Sequence, residues 1–180
     1  MKFYSGKGDG GTTTLFGSGK RIKKNNKIFH ALGNLDELNS YLGICVSLSQ
    51  DKKIKNIVKN IQETLFILQA ELGGSKNLKL EEKKLKELEK TADKFGGELG
   101  VITKFTISGG SVLSAHLDYA RALARRAERQ ICDLEARLPS GSRASKFSLS
   151  YMNRLSSLLF VLARYANKKA GAKENNPKYK

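Results

Sequence analysis

The chain has 180 residues, a length typical of one domain with a substantial core. Hydrophobic residues make up 39% and prolines number only two, a composition that argues against disorder and favours a compact helical protein. Lys and Arg number 33 against 17 Asp and Glu. The resulting net charge of +16 suits a polyphosphate ligand, a nucleic acid or an anionic membrane surface, and does not choose among them.

The cysteines and the hydropathy pattern exclude other classes of protein. Cys45 and Cys132 match no CxxC spacing, so we expect neither a zinc site nor a disulfide framework, and each should be a small buried or half-buried residue. No run of about 18 apolar residues occurs, which argues against a membrane span. Because a motif rich in glycine and threonine already begins at Tyr4, we expect no signal or transit peptide and a cytoplasmic location.

The first 27 residues are glycine-rich, threonine-rich and basic, without a helical period, which predicts a structured loop or a mobile arm. Residues 4–13 could cradle phosphate, because glycines let backbone amides converge on an anion and threonines add hydroxyl donors. Lys7 would add charge, and Asp9 could organise the loop or a metal shell. The segment is not a Walker A loop, since the final Gly-Lys-Ser/Thr is missing, and residues 17–20 fail for the same reason. A flexible linker is the alternative.

Apolar periodicity predicts helices over residues 28–49, 52–72 and 79–95. Glycine pairs at 73–74 and 96–97 should end the second and third. The first helix carries an unusual strip of small polar residues opposite its leucines: Asp36, Asn39, Ser40, Gly43 and Ser47. Small side chains there would let a ligand or another chain segment approach closely. Residues 101–107 are interpreted as an extended connector that ends at Gly109–Gly110.

Two more helices complete the prediction. Ser111 or Ser114 could cap the fourth, which should run to about Leu138 and end at Pro139 and Gly141. The fifth should cover residues 145–169, with four leucines on its core side and Phe160 and Arg164 among the residues of its other side. A basic tail over residues 170–180 is expected to be disordered. Five helices with short connections predict an all-α bundle over residues 28–169.

The fourth helix carries a basic face. At about 100° per residue, Arg121, Arg125, Glu128 and Arg129 share roughly a quarter of its circumference. One carboxylate offsets only part of the repulsion among three guanidinium groups, so an anion or acids from elsewhere in the assembly should complete the face. A solvated charged surface is the alternative.

The chain offers no nucleophile of its own. No Ser/His/Asp or Cys/His grouping occurs, and His30 and His116 are each expected to be structural or exposed. If the protein is an enzyme, its substrates bring the reactive atoms and the protein positions them.

Five ordered motifs closely resemble the PduO-type ATP:cob(I)alamin adenosyltransferases. They are Gly8-Asp9-x-Gly11-x-Thr13, Gly33-x-x-Asp36-Glu37-Leu38-Asn39-Ser40, Gly109-Gly110, Arg125-Arg126-Ala127-Glu128-Arg129 and Tyr151-x-Asn153-Arg154-Leu155-Ser156. The resemblance spans residues 3–167. It implies a five-helix, ferritin-like bundle that forms a homotrimer with active sites between subunits. It also implies that ATP, Mg²⁺ and a corrinoid are required, and that cob(I)alamin attacks the ribose C5′ of ATP and displaces triphosphate.

The resemblance also assigns roles to residues. The loop that should wrap the triphosphate comprises Ser5, Gly6, Lys7, Gly8, Asp9, Gly11, Thr12 and Thr13, with Lys24 as a further contact. Arg125 and Glu128 should lie at the nucleotide and its metal, with Arg129 beside them and Asn153 near ATP.

Two further roles concern the corrinoid and the subunit boundary. Asp36 should pair with Arg121 across that boundary. Phe105 should face the corrinoid and keep the lower axial ligand off cobalt, which makes cob(II)alamin easier to reduce.

This chain departs from the family pattern at a few positions. Gly6 stands where Lys or Arg is usual, Ser108 where proline is usual, and His30 and Leu32 replace the more common Glu and Tyr. Two alternatives remain open: a basic module that binds nucleic acid through phosphates, and an ATP sensor or corrinoid carrier without turnover. The first lacks an aromatic stacking platform, so no nucleic-acid partner is expected. A reductase and an acceptor enzyme for adenosylcobalamin are the expected protein partners.

Overall fold

The computed structural model describes residues 1–15, 19–136 and 143–179. The described residues form five helices and one small hairpin. In chain order they are β1 (Thr12–Thr14), β2 (Arg21–Lys23), α1 (Lys27–Leu48), α2 (Lys52–Leu72), α3 (Glu82–Gly97), α4 (Val112–Glu135) and α5 (Lys146–Ala170).

The helices pack as a bundle around α4 and α5. Helix α4 lies between α1 and α5, while α2 packs on α1 and α3 packs on α5. The core is built mainly from the leucine faces of α1, α2 and α5 and the alanine stripe of α4. Alanines at Ala120, Ala124 and Ala127 are fully buried, which lets the backbones of α4 and its neighbours approach closely. The predicted all-α, five-helix class is therefore confirmed.

Side-chain caps explain where the helices begin. The Asn26 carboxamide oxygen accepts from the Ile28 amide at 3.1 Å, and the Asp51 carboxylate accepts from the Lys53 amide at 2.7 Å. Of the two serines that could cap α4, Ser111 is the cap. The predicted bounds of α2 match the structure, and those of α1 and α5 match it within one residue. The predicted end of α4 at Leu138, with Pro139 and Gly141, lies outside the described residues.

The structure differs from the prediction in the first 27 residues, where it contains a hairpin rather than only a loop. Strands β1 and β2 pair antiparallel, with Thr13 opposite Ile22. Three consecutive β-branched threonines favour this extended backbone. Periodicity could not reveal strands of three residues each.

Helix α3 is shifted relative to the predicted 79–95. Leu80 is buried outside the helix, where its amide donates to the Glu71 carboxylate at 2.6 Å. At the other end the helix continues through Gly96 and Gly97, since glycine also adopts helical angles, and Gly100 (φ +78°) supplies the left-handed residue after it.

Arg164 and the C-terminal tail also differ from expectation. Arg164 is only 2% exposed rather than on an open face, and it forms an ion pair with buried Asp118 at 2.5 Å. In place of disorder after Ala170, the following residues have no regular structure but are hydrogen-bonded to the 101–107 connector. The connector itself contains neither helix nor strand, as predicted. No helix in the described part of the chain is long and apolar enough to cross a bilayer.

Candidate functional site

The N-terminal loop is shaped by the hairpin and by Arg21. The Arg21 guanidinium donates to the Thr12 hydroxyl at 2.9 Å and to the Thr12 carbonyl at 2.7 Å, and it also contacts the Lys7 carbonyl. One side chain thus holds both ends of the predicted phosphate loop. The sequence analysis did not identify Arg21, because its position depends on the pairing of β1 with β2, and strands this short leave no periodicity in the sequence.

Three glycines in the loop allow left-handed backbone or close approach of a side chain. Gly6 (φ +68°) and Gly11 (φ +72°) adopt left-handed backbone, and the Gly6 carbonyl accepts from the Asp9 amide at 3.2 Å. A Cβ on Gly8 would lie 3.2 Å from the Lys24 ammonium nitrogen. Lys24 therefore lies over the loop, and its contact to an anion there stays a prediction. At position 6 the left-handed backbone itself favours glycine.

A second cluster lies where α4 faces α5. The Asn153 side-chain amide donates to the Glu128 carboxylate at 2.8 Å, and the Arg154 guanidinium donates to the side-chain carboxamide oxygen of Asn153 at 2.6 Å. Arg154 is in turn within 3.5 Å of Glu89. These bonds fix the orientation of the Asn153 amide and leave the second Glu128 oxygen open. Arg154 was part of a quoted motif but had no predicted role.

The predicted arginines of α4 lie on this same side of the bundle. A shallow groove between α4 and α5 is lined by Arg121, Arg125, Ser156, Ser157, Phe160 and Val161. Arg125 and Arg129 are exposed and Glu128 is half-buried. An exposed guanidinium, a carboxylate with a free oxygen and an oriented amide can bind a polyphosphate and its metal ion.

The acidic partners of the α4 arginines within one chain differ from the predicted pairing of Arg121 with Asp36. Arg121 lies 3.9 Å from Asp118 on its own helix, a loose contact with an acid that Arg164 already neutralises. Asp36 is exposed on α1, and no ion pair within the described part of one chain joins it to Arg121. The pairing across subunits therefore stays a prediction. Arg126, outside the predicted basic face, instead connects α4 to α1 through Asn34 and Glu37.

Phe105 is remote from these clusters in sequence and is 79% exposed on the connector. Its backbone carbonyl accepts from the Asn176 amide at 2.7 Å. The structure thus groups the predicted residues into three sets: the N-terminal loop, the α4–α5 groove and the connector. The loop's hydrogen bonds described above join residues between Gly6 and Arg21 to one another, and none of them reaches the groove.

Both thiols are held protonated. Burial raises the pKa of Cys45 to about 11, and burial together with the nearby Glu128 charge raises the pKa of Cys132. Neither cysteine supplies a thiolate near neutral pH. Cys45 is buried, as predicted, but Cys132 is exposed, so the prediction of a buried or half-buried residue is wrong there, because Cys132 follows the buried Ile131 and lies off the core side of α4. His30 is exposed, and His116 shares a hydrogen bond with the Tyr41 hydroxyl at 2.8 Å, so both histidines are as expected.

The donor set fits a metal ion that brings its own ligands. Among the described residues, no three His, Cys, Asp or Glu side chains converge as a metal cluster. A single carboxylate at Glu128 suits Mg²⁺ bound chiefly by phosphate oxygens and water.

The fold and the sequence together place this chain in a known protein family. The chain matches the family model described as cobalamin adenosyltransferase over residues 3–166, and it belongs to that family. The resemblance read from the five motifs is confirmed.

Curated relatives agree with this assignment. A corrinoid adenosyltransferase from Citrobacter freundii is 36% identical, over 91% of this chain and 93% of the relative. The human corrinoid adenosyltransferase MMAB is 32% identical over 96% of this chain and 72% of the relative. The corrinoid adenosyltransferase PduO of Citrobacter freundii is 34% identical over 91% of this chain, and the match covers 49% of PduO. This chain therefore spans about half of the PduO relatives it matches.

The fold is also similar to that of solved structures. A variant PduO-type ATP:corrinoid adenosyltransferase from Lactobacillus reuteri, complexed with cobalamin and ATP, superposes with a TM-score of 0.90 at 30% identity. The superposition covers 99% of this chain and 100% of that one. Another variant from the same organism, complexed with ATP, gives 0.87 at 31% identity.

Proposed function

We propose that this protein is a corrinoid adenosyltransferase that moves the 5′-deoxyadenosyl group of ATP onto the cobalt of cob(I)alamin. The observation that carries the proposal is the hydrogen-bonded Glu128–Asn153 pair on the same side of the bundle as the groove that Arg125 lines, in a chain of this family. Its substrates are ATP and the corrinoid, which the Lactobacillus reuteri protein holds together in one complex.

The proposed reaction balances without a protein nucleophile. The cobalt(I) electron pair of the corrinoid substrate forms the Co–C5′ bond, the C5′–O bond breaks, and triphosphate leaves with the bonding pair. Charge therefore accumulates on the departing phosphates. Arg125 in the groove, together with Lys7 and Lys24 on the loop, would stabilise that charge.

Mg²⁺ fits the same arrangement. The free oxygen of Glu128 would hold it, directly or through water, while phosphate oxygens supply the other ligands. When bound, the ion neutralises the leaving triphosphate. Asn153 would then keep the carboxylate aimed at the nucleotide through its 2.8 Å hydrogen bond to Glu128.

The loop and the groove must meet around one nucleotide, which favours a site shared between chains. We infer a homotrimer in which the loop of one subunit faces the α4 groove of its neighbour, with Asp36 and Arg121 paired across the boundary. A cytoplasmic location, a reductase that supplies cob(I)alamin and an acceptor enzyme that receives adenosylcobalamin complete the proposal.

An anaerobic assay tests the proposed activity. Purified protein is mixed with ATP, Mg²⁺ and chemically reduced cob(I)alamin, and the cobalt spectrum is followed. Light-sensitive adenosylcobalamin should form only when ATP is present. Binding of both substrates without product would instead indicate a corrinoid carrier or ATP sensor, and binding of neither would favour the basic phosphate-binding module.

A further inference from the structure

The C-terminal tail runs along the connector rather than away from the bundle. After α5 ends, Gly171 (φ +62°) turns the chain back, and the tail returns beside residues 103–107. A cleft between the two segments is lined by Phe105, Asn176, Pro177 and Tyr179, among others.

A buried polar network anchors the start of this tail. The Glu174 carboxylate accepts from the Asn167 amide at 2.9 Å and lies 3.1 Å from the Arg164 guanidinium. Arg164 and Asn167 are 2% and 1% exposed, so this acid is drawn to a charge that water does not screen. The tail is therefore fixed to the bundle at Glu174.

The same network holds the far end of the connector. Asn167 donates to the Gly109 carbonyl at 2.8 Å and accepts from the Ser111 amide at 2.8 Å. A Cβ on Gly110 would lie 2.5 Å from the Asn167 carboxamide oxygen, so only glycine permits this approach. The connector and the tail consequently share one anchor, at Asn167.

Two hydrogen bonds then join the tail to the connector on either side of residue 106. The Ile107 amide donates to the Asn175 carbonyl at 2.8 Å, and the Asn176 side-chain amide donates to the Phe105 carbonyl at 2.7 Å. The connector has no regular structure of its own. These bonds to the tail therefore restrict the backbone that carries the exposed Phe105 ring.

We infer that the C-terminal tail is a positioning element for Phe105, acting through the Asn176 amide and the Asn175 carbonyl. This inference rests on the proposed function for its chemical consequence. A fixed backbone at Phe105 holds the ring where it excludes the lower axial ligand of bound cob(II)alamin, whereas a released connector lets that ligand return to cobalt.

Two neighbouring asparagines provide a matched pair of variants. Asn176→Ala removes the bond to Phe105, whereas Asn175→Ala keeps the backbone carbonyl that accepts from Ile107. Glu174→Gln is a second test variant, because it removes the charge that ties the tail to Arg164. Each is made in the full chain and compared with the wild type for ATP affinity, which none of them should change.

The first measurement is hydrogen–deuterium exchange of residues 101–107. Loss of one hydrogen bond should speed exchange there by about threefold to tenfold in Asn176→Ala, with the Asn175→Ala protein close to wild type. This measurement needs no corrinoid. It therefore tests the anchoring of the connector even if the wild-type protein forms no adenosylcobalamin, an outcome that would refute the proposed function alone.

The second measurement is the absorption and electron paramagnetic resonance spectrum of cob(II)alamin bound with ATP. Asn176→Ala should lower the fraction without a lower axial ligand by a factor of about three or more, and should slow adenosylation from cob(II)alamin with a reductant. Adenosylation from cob(I)alamin, which has already lost that ligand, should be much less affected. Equal exchange and equal spectra for the two asparagine variants would overturn the inference.

Discussion

At the residue scale, the site depends on side chains whose orientation is set by one neighbour each. A hydrogen bond from Asn153 orients Glu128, and one from Arg154 orients Asn153. Arg21 holds the N-terminal loop together by its hydrogen bond to Thr12. Each of these bonds is short and lies near the surface. The expected effects of substitution are therefore on binding and turnover more than on folding.

Arg125→Ala should lower kcat by at least about 100-fold, because the guanidinium is expected to stabilise charge on the departing triphosphate. The side chain is expected to face ATP rather than a residue of the neighbouring subunit, so the subunit assembly should be unchanged. Steady-state kinetics and size-exclusion chromatography with light scattering measure the two effects. Lys83→Ala, which removes an equal charge from exposed helix α3, is the control. Wild-type turnover in Arg125→Ala would remove this residue from the mechanism.

The buried thiol at Cys45 predicts a pH dependence of stability. Burial raises its folded-state pKa from 9.0 to about 11, so the unfolded chain loses this proton first as pH rises. Stability should thus be constant below pH 9 and fall by about 1–3 kcal/mol as pH rises through 11. Urea unfolding at stepped pH measures the slope.

Cys45→Ala should reduce that slope, whereas Cys132→Ala, at an exposed thiol, should leave most of it. If the free energy of unfolding falls equally with pH in both variants, groups other than Cys45 cause the fall. Tyr151, whose pKa is also raised by burial, contributes equally to every one of these proteins and cancels in the comparison.

At the scale of elements, the N-terminal hairpin and the connector are short segments that acquire their shape from contacts to side chains. Strands β1 and β2 have three residues each, and the connector has no ladder at all. Two-stranded hairpins are marginal in water without further support. Arg21 on the hairpin and the tail on the connector provide that support.

Arg21→Ala should weaken ATP binding by about fivefold to twentyfold, because the loop loses the side chain that holds Lys7 and Thr12 together. The melting temperature should change little, since the hairpin lies outside the helical core. Isothermal titration calorimetry measures the affinity. Lys23→Ala removes the same charge from the same strand, so an equal loss in both variants would point to charge rather than loop shape.

At the scale of the whole molecule, the charge balance extends beyond one chain. The chain has a net charge of +16, and two of the acids near the α4 arginines are paired within the chain: Glu37 with Arg126, and Asp118 with Arg164. Asp36 is exposed and available to a neighbouring subunit. The proposed trimer would bring it to Arg121.

Asp36→Asn should weaken the trimer, because Arg121 would then lack its partner at the subunit boundary. Sedimentation equilibrium measures the change, and a cycle with Arg121→Met should give a coupling energy of about 1–3 kcal/mol. Glu37→Gln is the matched control, since Glu37 pairs within its own chain. Additive effects of the Asp36 and Arg121 variants would contradict the pairing.

Most of the helical fold follows from local signals in the sequence. Helices α1, α2 and α5 follow from leucine periodicity and from their capping residues Asn26, Asp51 and Ser145, since both signals are local. The basic face of α4 follows from helical spacing alone. The family follows from motifs in order, because residues that bind the same substrates keep the same spacing in a shared fold.

The polar contacts between elements follow from packing and not from any local pattern. Arg164 is equally compatible with an open or a buried face until Asp118 is brought within 2.5 Å of it from another helix. The same holds for two other contacts. Arg21 binds Thr12 in a segment without periodicity, and Glu174 attaches the tail to Arg164 of α5. Apolar spacing reports which face of a helix is buried, but polar partners across elements are set by packing. For that reason the sequence located the arginine face and Phe105, and the structure alone revealed what holds the connector beneath that ring.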